Sequence, residues 1–350
     1  MAYGENRVAV LGLGGTIATV PSADGTAVPA LSPTELVSVV PGLAELGVTL
    51  ETAEVRRLPS PSLGFADIEA VLAAARERIA DGCVGVVVTQ GTDSIEEVAY
   101  ALDLRYDRPE PIVVTGAMRF PTEAGADGPA NLLAAVSVAA SPHARELGVL
   151  VTLADEIHAA RYVRKTHPTS LTTFQSPDAG PLGYLVEGEP RLLGRIPARM
   201  VLPAARRATP PRVCLLQISL DDDGYLLDRI DKHVDGVVVA AFGGGNVPAA
   251  LVPRLTELAE TIPIVLSSRV GAGTVLATTY SYPGSAQDLL KQGLINAGFL
   301  HPLKARILLR GLLCVDADHD DIAAAFTAAG GCGNTAAWPW PQTATDALEH

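Results

Sequence analysis

Short apolar runs alternate with helix-like stretches along the first 150 or so residues, and this rhythm restricts the fold more than any other feature of the chain. Strand-like runs occupy 8–13, 48–56, 84–89, 111–116 and 148–153, and helical patterns fall between them at 33–40, 66–80, 94–105 and 128–140. Such an alternation predicts a parallel sheet with helices on both faces. A Pro- and Arg-rich segment, roughly 187–211, interrupts it. The alternation resumes with Arg212-Val213-Cys214-Leu215-Leu216-Gln217-Ile218, Gly236-Val237-Val238-Val239-Ala240 and Ile262-Pro263-Ile264-Val265-Leu266-Ser267. The expected organisation is therefore α/β in two domains. A larger N-terminal parallel-sheet domain spans 1–190, a linker 191–211, a smaller C-terminal α/β domain 212–335, and a tail 336–350. The terminal Leu348-Glu349-His350 reads as an expression-vector remnant.

With 350 residues and 48% hydrophobic side chains, the chain can bury a core in each domain. A net charge of -13 argues against nucleic acid as a partner, because polyanion binders need clustered Lys and Arg. The arginines between Arg191 and Arg212 lie among prolines and read as a solvated connection. No run of about 20 uncharged apolar residues is present, so no membrane partner is expected. The start, Met1-Ala2-Tyr3-Gly4-Glu5-Asn6-Arg7, does not have the arrangement of a signal peptide, and a cytoplasmic location is expected. Cys83, Cys214, Cys314 and Cys332 lack metal-ligand spacing, as do the histidines, so neither a metal nor another cofactor is expected. The first three lie in or beside apolar runs and read as reduced thiols; Cys332, between two glycines, reads as exposed.

Two threonine clusters, Leu13-Gly14-Gly15-Thr16-Ile17-Ala18 and Thr89-Gln90-Gly91-Thr92-Asp93-Ser94-Ile95-Glu96-Glu97, each follow a buried-strand pattern. Both should emerge at the carboxyl end of a parallel sheet, where open α/β folds bind ligands. Gly12-Leu13-Gly14-Gly15 invites a dinucleotide reading, but Ile17 stands at the third glycine position and a polar loop follows instead of a helix. The glycines instead permit a positive-φ turn that aims Thr16 into the crevice. A threonine hydroxyl attacks a carbonyl only with a base nearby and donors for the developing oxyanion. Alone, Thr16 reads as a strand-end threonine. Beside the second cluster it becomes a candidate nucleophile. Asp93 with Glu96, or Ser94 with Glu97, matches a capping box, which would account for one of these polar residues but not for Thr92 and Asp93 together behind Gly91. Lys165, in Arg161-Tyr162-Val163-Arg164-Lys165-Thr166-His167, reads in isolation as a surface charge; carried beside Thr92 and Asp93 it would serve as the base.

On these motifs the chain resembles the bacterial L-asparaginase family. Gly14-Gly15-Thr16-Ile17-Ala18 and Gly91-Thr92-Asp93-Ser94 match its two threonine motifs. Gly116-Ala117-Met118-Arg119, Ala126-Asp127-Gly128-Pro129 with Asn131-Leu132, Lys165-Thr166 and Gly180-Pro181-Leu182-Gly183-Tyr184 follow in order. In the second domain Gly245-Asn246, Ser267-Ser268-Arg269-Val270 and His301-Pro302-Leu303-Lys304-Ala305-Arg306 complete the series. The resemblance implies hydrolysis of the asparagine side-chain amide. Thr16 would take the acyl group, and Thr92, Asp93 and Lys165 would form a second catalytic constellation. Gly15, Ser60, Gly91, Thr92 and Asp93 would bind substrate, Ser60 holding its α-carboxylate and Asp93 its α-ammonium. It also implies a homotetramer or homodimer with shared active sites, Asn246 being presented to a neighbouring subunit.

Three positions depart from the family pattern. The loop from Thr19 to Leu31 contains no tyrosine where the family places one beside the first threonine. Pro61 replaces a glutamine after the carboxylate-binding serine, and a glutamate expected from the neighbouring subunit falls on Ala286, or on Gln287 with a one-position slip. These losses weaken recognition of an amino acid's ammonium group. They leave open an amidase of the same family acting on another small carboxamide, and a non-catalytic small-molecule binding protein.

Overall fold

The computed structural model describes residues 6–21, 27–29, 31–230 and 232–342. The chain divides into two compact units, one running to Arg199 and the other from Met200.

The first unit contains, in order, β1 (Asn6–Gly12), β2 (Thr19–Pro21), β3 (Ala27–Pro29), α1 (Pro33–Ser38), β4 (Val48–Glu54), α2 (Phe65–Ala80), β5 (Gly85–Thr89), α3 (Ile95–Asp103), β6 (Ile112–Thr115), α4 (Gly128–Ala140), β7 (Val149–Leu153), β8 (Glu156–Ala159), β9 (Arg164–Lys165), β10 (Phe174–Gln175), β11 (Gly183–Val186) and β12 (Glu189–Leu192). Its main sheet has the order β12-β11-β8-β7-β6-β5-β1-β4. From β4 through β1, β5 and β6 to β7 all pairings are parallel. The central strands are continuous aliphatic runs, and Val8, Val10, Leu11, Val86, Val87 and Val88 are fully buried. Each such side chain contributes about 1.5–3 kcal/mol of hydrophobic stabilisation, and burial on both faces is what a parallel sheet covered by helices requires.

The sheet is mixed, not parallel throughout, because β8, β11 and β12 extend it with antiparallel pairings. The last of these strands lies inside the Pro- and Arg-rich segment expected to be solvated. Glu189–Leu192 pairs with β11, and Arg199 is buried, its guanidinium donating to the carbonyls of Tyr106 and, at 2.8 Å, Arg108. A guanidinium with five donors tolerates burial where backbone carbonyls meet it, so this arginine ties chain segments together.

The second unit contains β13 (Val213–Gln217), β14 (Gly236–Ala241), α5 (Val252–Ala259), β15 (Ile264–Ser268), α6 (Ala286–Lys291), β16 (Ile295–Asn296), α7 (Pro302–Cys314) and α8 (His319–Ala329). Its sheet runs β13-β14-β15-β16, parallel throughout. Val237, Val239, Leu255, Leu266 and Leu289 form its core. Cys83 and Cys314 are buried, Cys214 is half-buried, Cys332 is exposed, and all four are free thiols. Among the described residues no helix is long and apolar enough to cross a membrane.

Candidate active site

The site lies where β1, β5 and β6 end. Leu13 N–H donates to Thr89 O at 2.8 Å and Gln90 N–H to Thr115 O at 3.1 Å, so the parallel ladder carries each loop forward beside its neighbour. The first loop turns at Gly14 and Gly15, both at positive φ, and Thr16 opens a single 3-10 turn, Thr16–Ala18, that leads into β2. No long helix starts there, as the sequence predicts, and a pyrophosphate would find no helix amino end. Gly15 is required twice over. Its φ of 89° disfavours other residues, and a Cβ would overlap the backbone nitrogen of Gly91. The two threonine loops thus touch backbone to backbone. Gly91 has ordinary dihedrals, but its Cβ would stand 2.7 Å from Ser60 Oγ, so space alone demands glycine.

Around this contact a cleft of about 300 Å³ is lined by Gly15, Thr16, Thr19, Pro59, Ser60, Pro61, Gly91, Thr92, Asp93 and Phe120. Thr92 is buried, and its Oγ1 accepts from Lys165 Nζ at 2.9 Å. The same ammonium donates to Asp93 Oδ1 at 2.7 Å. The lysine side chain is 13% exposed and the aspartate 62%, so this pair contributes no more than about 1 kcal/mol of stability. Stability does not account for placing an ammonium over a threonine hydroxyl. Ser60 is buried and its Oγ accepts the Asp93 N–H at 3.2 Å, leaving the hydroxyl proton to donate to a ligand.

The side-chain cap expected from Ser94 at the start of α3 is absent. Ser94 makes no cap hydrogen bond; its hydroxyl donates to Ser60 O at 3.0 Å, and Asp93 is engaged by Lys165. Tertiary partners have taken the side chains that the capping-box spacing assigned to the helix.

Of the residues named from sequence, Gly15, Thr16, Ser60, Gly91, Thr92 and Asp93 line one cleft, and Lys165 reaches two of them. Asn246 belongs to the second unit, on the turn after β14, where its Oδ1 accepts Ala286 N–H at 3.3 Å. Ala286 is itself buried in that unit's apolar core. A glutamate side chain at that position would carry its carboxylate into apolar surroundings, whereas the neighbouring Gln287 is half-buried. Of the tyrosine-free loop, residues 22–26 and 30 lie outside the described residues.

Sequence reasoning missed Thr19, Pro59 and Phe120 in the cleft wall. Thr19 Oγ1 donates to Gly15 O at 2.7 Å and fixes the first turn. Phe120 follows Gly116-Ala117-Met118-Arg119, and the available signal was its position just past β6, the strand beside β5. Asp127 holds that loop by accepting the Met118 and Arg119 amides at 2.9 Å each. Asn131 braces it further, donating to Gly116 O at 2.9 Å and accepting from Ala154 N at 3.0 Å. Among the described residues no group of three or more His, Cys, Asp or Glu is placed to hold a metal.

Residues 7–197 match the family model for the asparaginase N-terminal domain, and residues 212–326 that for the glutaminase/asparaginase C-terminal domain. A probable L-asparaginase of Deinococcus radiodurans is 36% identical over 338 residues, covering 92% of this chain and 97% of that protein. An L-asparaginase of Bacillus licheniformis is 33% identical over 313 residues, covering 88% and 96%. The crystal structure of a probable cytoplasmic L-asparaginase from Campylobacter jejuni superposes with a TM-score of 0.80 at 32% identity, covering 92% of this chain and 99% of that one. With both family models matched in order along most of its length, the chain belongs to the bacterial L-asparaginase family.

Proposed function

We propose that this protein is an amidohydrolase that converts asparagine to aspartate and ammonia through a threonine nucleophile. The observation that carries the reading is Lys165 Nζ at 2.9 Å from Thr92 Oγ1 and 2.7 Å from Asp93 Oδ1, in a cleft that Thr16 shares. Thr16 Oγ attacks the amide carbon; its proton passes by way of the Thr92–Lys165 pair to the departing nitrogen, which leaves as ammonia. Water then attacks the Thr16 ester, releasing the acid and restoring the hydroxyl. Ser60 donates to the substrate α-carboxylate and Asp93 receives its ammonium. Neither a metal nor a cofactor enters this scheme. The oligomer is part of the proposal: Asn246 would complete the site of a neighbouring copy, as a homotetramer or homodimer. Mixing inactive Thr16→Ala with inactive Asn246→Ala protein after dissociation and reassembly would then recover part of the activity.

The lining of the cleft favours a second reading, an amidase acting on another small carboxamide. Among the described residues Asp93 is the one charged side chain lining it, and Pro61 beside Ser60 offers no side-chain hydrogen bond. Each missing charge-assisted hydrogen bond removes roughly 1.5–3 kcal/mol of binding. Ammonia release from asparagine, glutamine and simple des-amino amides decides between the two. Preference for asparagine supports the first reading, and equal turnover of the des-amino amide supports the second. No release from any amide, with the protein folded, leaves only a binding protein.

A further inference from the structure

Lys165 sits on an insecure support. Its strand, β9, is two residues long and among the described residues pairs only with the two-residue β10, Phe174 opposite Lys165 and Gln175 opposite Arg164. Such a ribbon is marginal by itself. One end is closed by Thr166 and Thr173: Thr166 N–H donates to Thr173 O at 2.8 Å, and His167 N–H donates to Thr173 Oγ1 at 2.8 Å. The apolar anchor is Phe174, which is buried.

The other end meets a buried polar cluster that the proposed chemistry does not use. His158 lies on β8, a strand paired on both sides by β7 and β11, and is fully buried. Its Nδ1 is 3.0 Å from the hydroxyl of Ser176, the residue that directly follows β10 and is itself buried. Its Nε2 is 3.1 Å from Glu156 Oε2. Glu156 and His158 are two apart on one strand and so share a face. Glu156 stands near Nε2 without the alignment of a hydrogen bond, and the link from His158 to the ribbon is made at Nδ1, to the Ser176 hydroxyl. Ser176 is too buried to meet a substrate, so the Ser–His–Glu grouping is no second hydrolytic site.

We propose that His158 is a positioning residue: buried on β8, it fastens Ser176 to the main sheet and so fixes the ribbon that carries Lys165 over Thr92 and Asp93. The inference rests on the proposed role of Lys165 for its catalytic consequence but not for the anchoring. A buried histidine spanning a central strand and a two-residue ribbon is a stiff link, and displacing a proton-carrying group by about 1 Å costs on the order of a hundredfold in rate.

The test compares His158→Leu, His158→Asn, Ser176→Ala and the double variant His158→Leu/Ser176→Ala by hydrogen–deuterium exchange and steady-state kinetics. His158→Leu and Ser176→Ala should speed amide exchange in residues 164–175 by about three- to tenfold while that of β5 and β6 stays unchanged. Both should lower kcat by about ten- to a hundredfold, with KM little altered. His158→Asn, which keeps a polar atom near Nδ1, should recover part of kcat, and the double variant should be no worse than the poorer single one. Unchanged exchange in the ribbon, or faster exchange spread evenly over the sheet, overturns the proposal. Faster ribbon exchange with unchanged kcat sustains the anchoring and counts against the proposed function of Lys165. Should His158→Leu fail to fold, Ser176→Ala alone decides the matter, since it removes one hydroxyl from a turn otherwise made by the backbone.

Discussion

The two threonine loops leave neighbouring strands of one sheet and touch at Gly15 and Gly91, yet they treat their hydroxyls differently. Thr92 is buried in a network with Lys165, and the next residue, Asp93, is held by both Lys165 and Ser60. Thr16 is half-buried at the start of one 3-10 turn, and among the described residues no side-chain hydrogen bond engages it. A hydroxyl already tied to an ammonium is suited to passing a proton. An unengaged one at the cleft wall is suited to forming a bond with substrate. The contrast teaches that two residues of the same type, in motifs that look alike as letters, are given distinct surroundings by what the fold brings to them.

The sharpest way to break the contrast is to remove the unengaged hydroxyl. Thr16→Ala should lower kcat on the order of 10⁴-fold or more and leave Tm nearly unchanged, read by ammonia release and thermal unfolding. Near-normal turnover would assign the bond-forming role elsewhere. Removing the ammonium from the other loop should cost less. Lys165→Met should lower kcat about 10²- to 10⁴-fold, with KM moving little because Met keeps the apolar stem. A large rise in KM at constant kcat would make Lys165 a binding group instead.

The contact between the loops can be tested by stability. Gly15→Ala combines a positive φ with overlap on Gly91, whereas Gly47→Ala has a positive φ of 65° and open space. Gly47→Ala should lose about 1 kcal/mol and Gly15→Ala some 1–3 kcal/mol more, measured by denaturant unfolding. Equal losses would mean that the loops can separate. The smallest effect is expected at the edge of the network. Ser60→Ala leaves the Asp93 amide without its acceptor, so about 1 kcal/mol of stability should be lost, and KM should rise roughly tenfold if the hydroxyl also binds substrate carboxylate.

How much of this could be read from the letters depended on how local the cause was. The parallel strands β1, β5, β6, β7 and β14 are continuous aliphatic runs, so their burial is written in the residues themselves. Strands β8, β11 and β12 are short and include Glu156, Gly183, Glu189 and Pro190, and only their partners make them strands. Thr16, Thr92 and Asp93 were legible because strand ends over a parallel sheet share a crevice. Lys165 could be named as a candidate base, but its approach was not legible, since no local pattern brings a two-residue strand across to them. Ala286 shows a different limit. Counting along the chain placed a missing family glutamate at Ala286 or, with a one-position slip, at Gln287, and only the three-dimensional core of the second unit shows Ala286 to be buried.

The central claim is that Thr16, not Thr92, forms the bond to substrate. Rapid acid quench of the enzyme during turnover of asparagine, or of a slow activated amide, followed by proteolysis and mass spectrometry, locates the acyl group directly. The account predicts the acyl adduct on the peptide containing Thr16, lost in Thr16→Ala and longer-lived in Lys165→Met. An adduct on the peptide containing Thr92, or an undiminished adduct in Thr16→Ala, would contradict it.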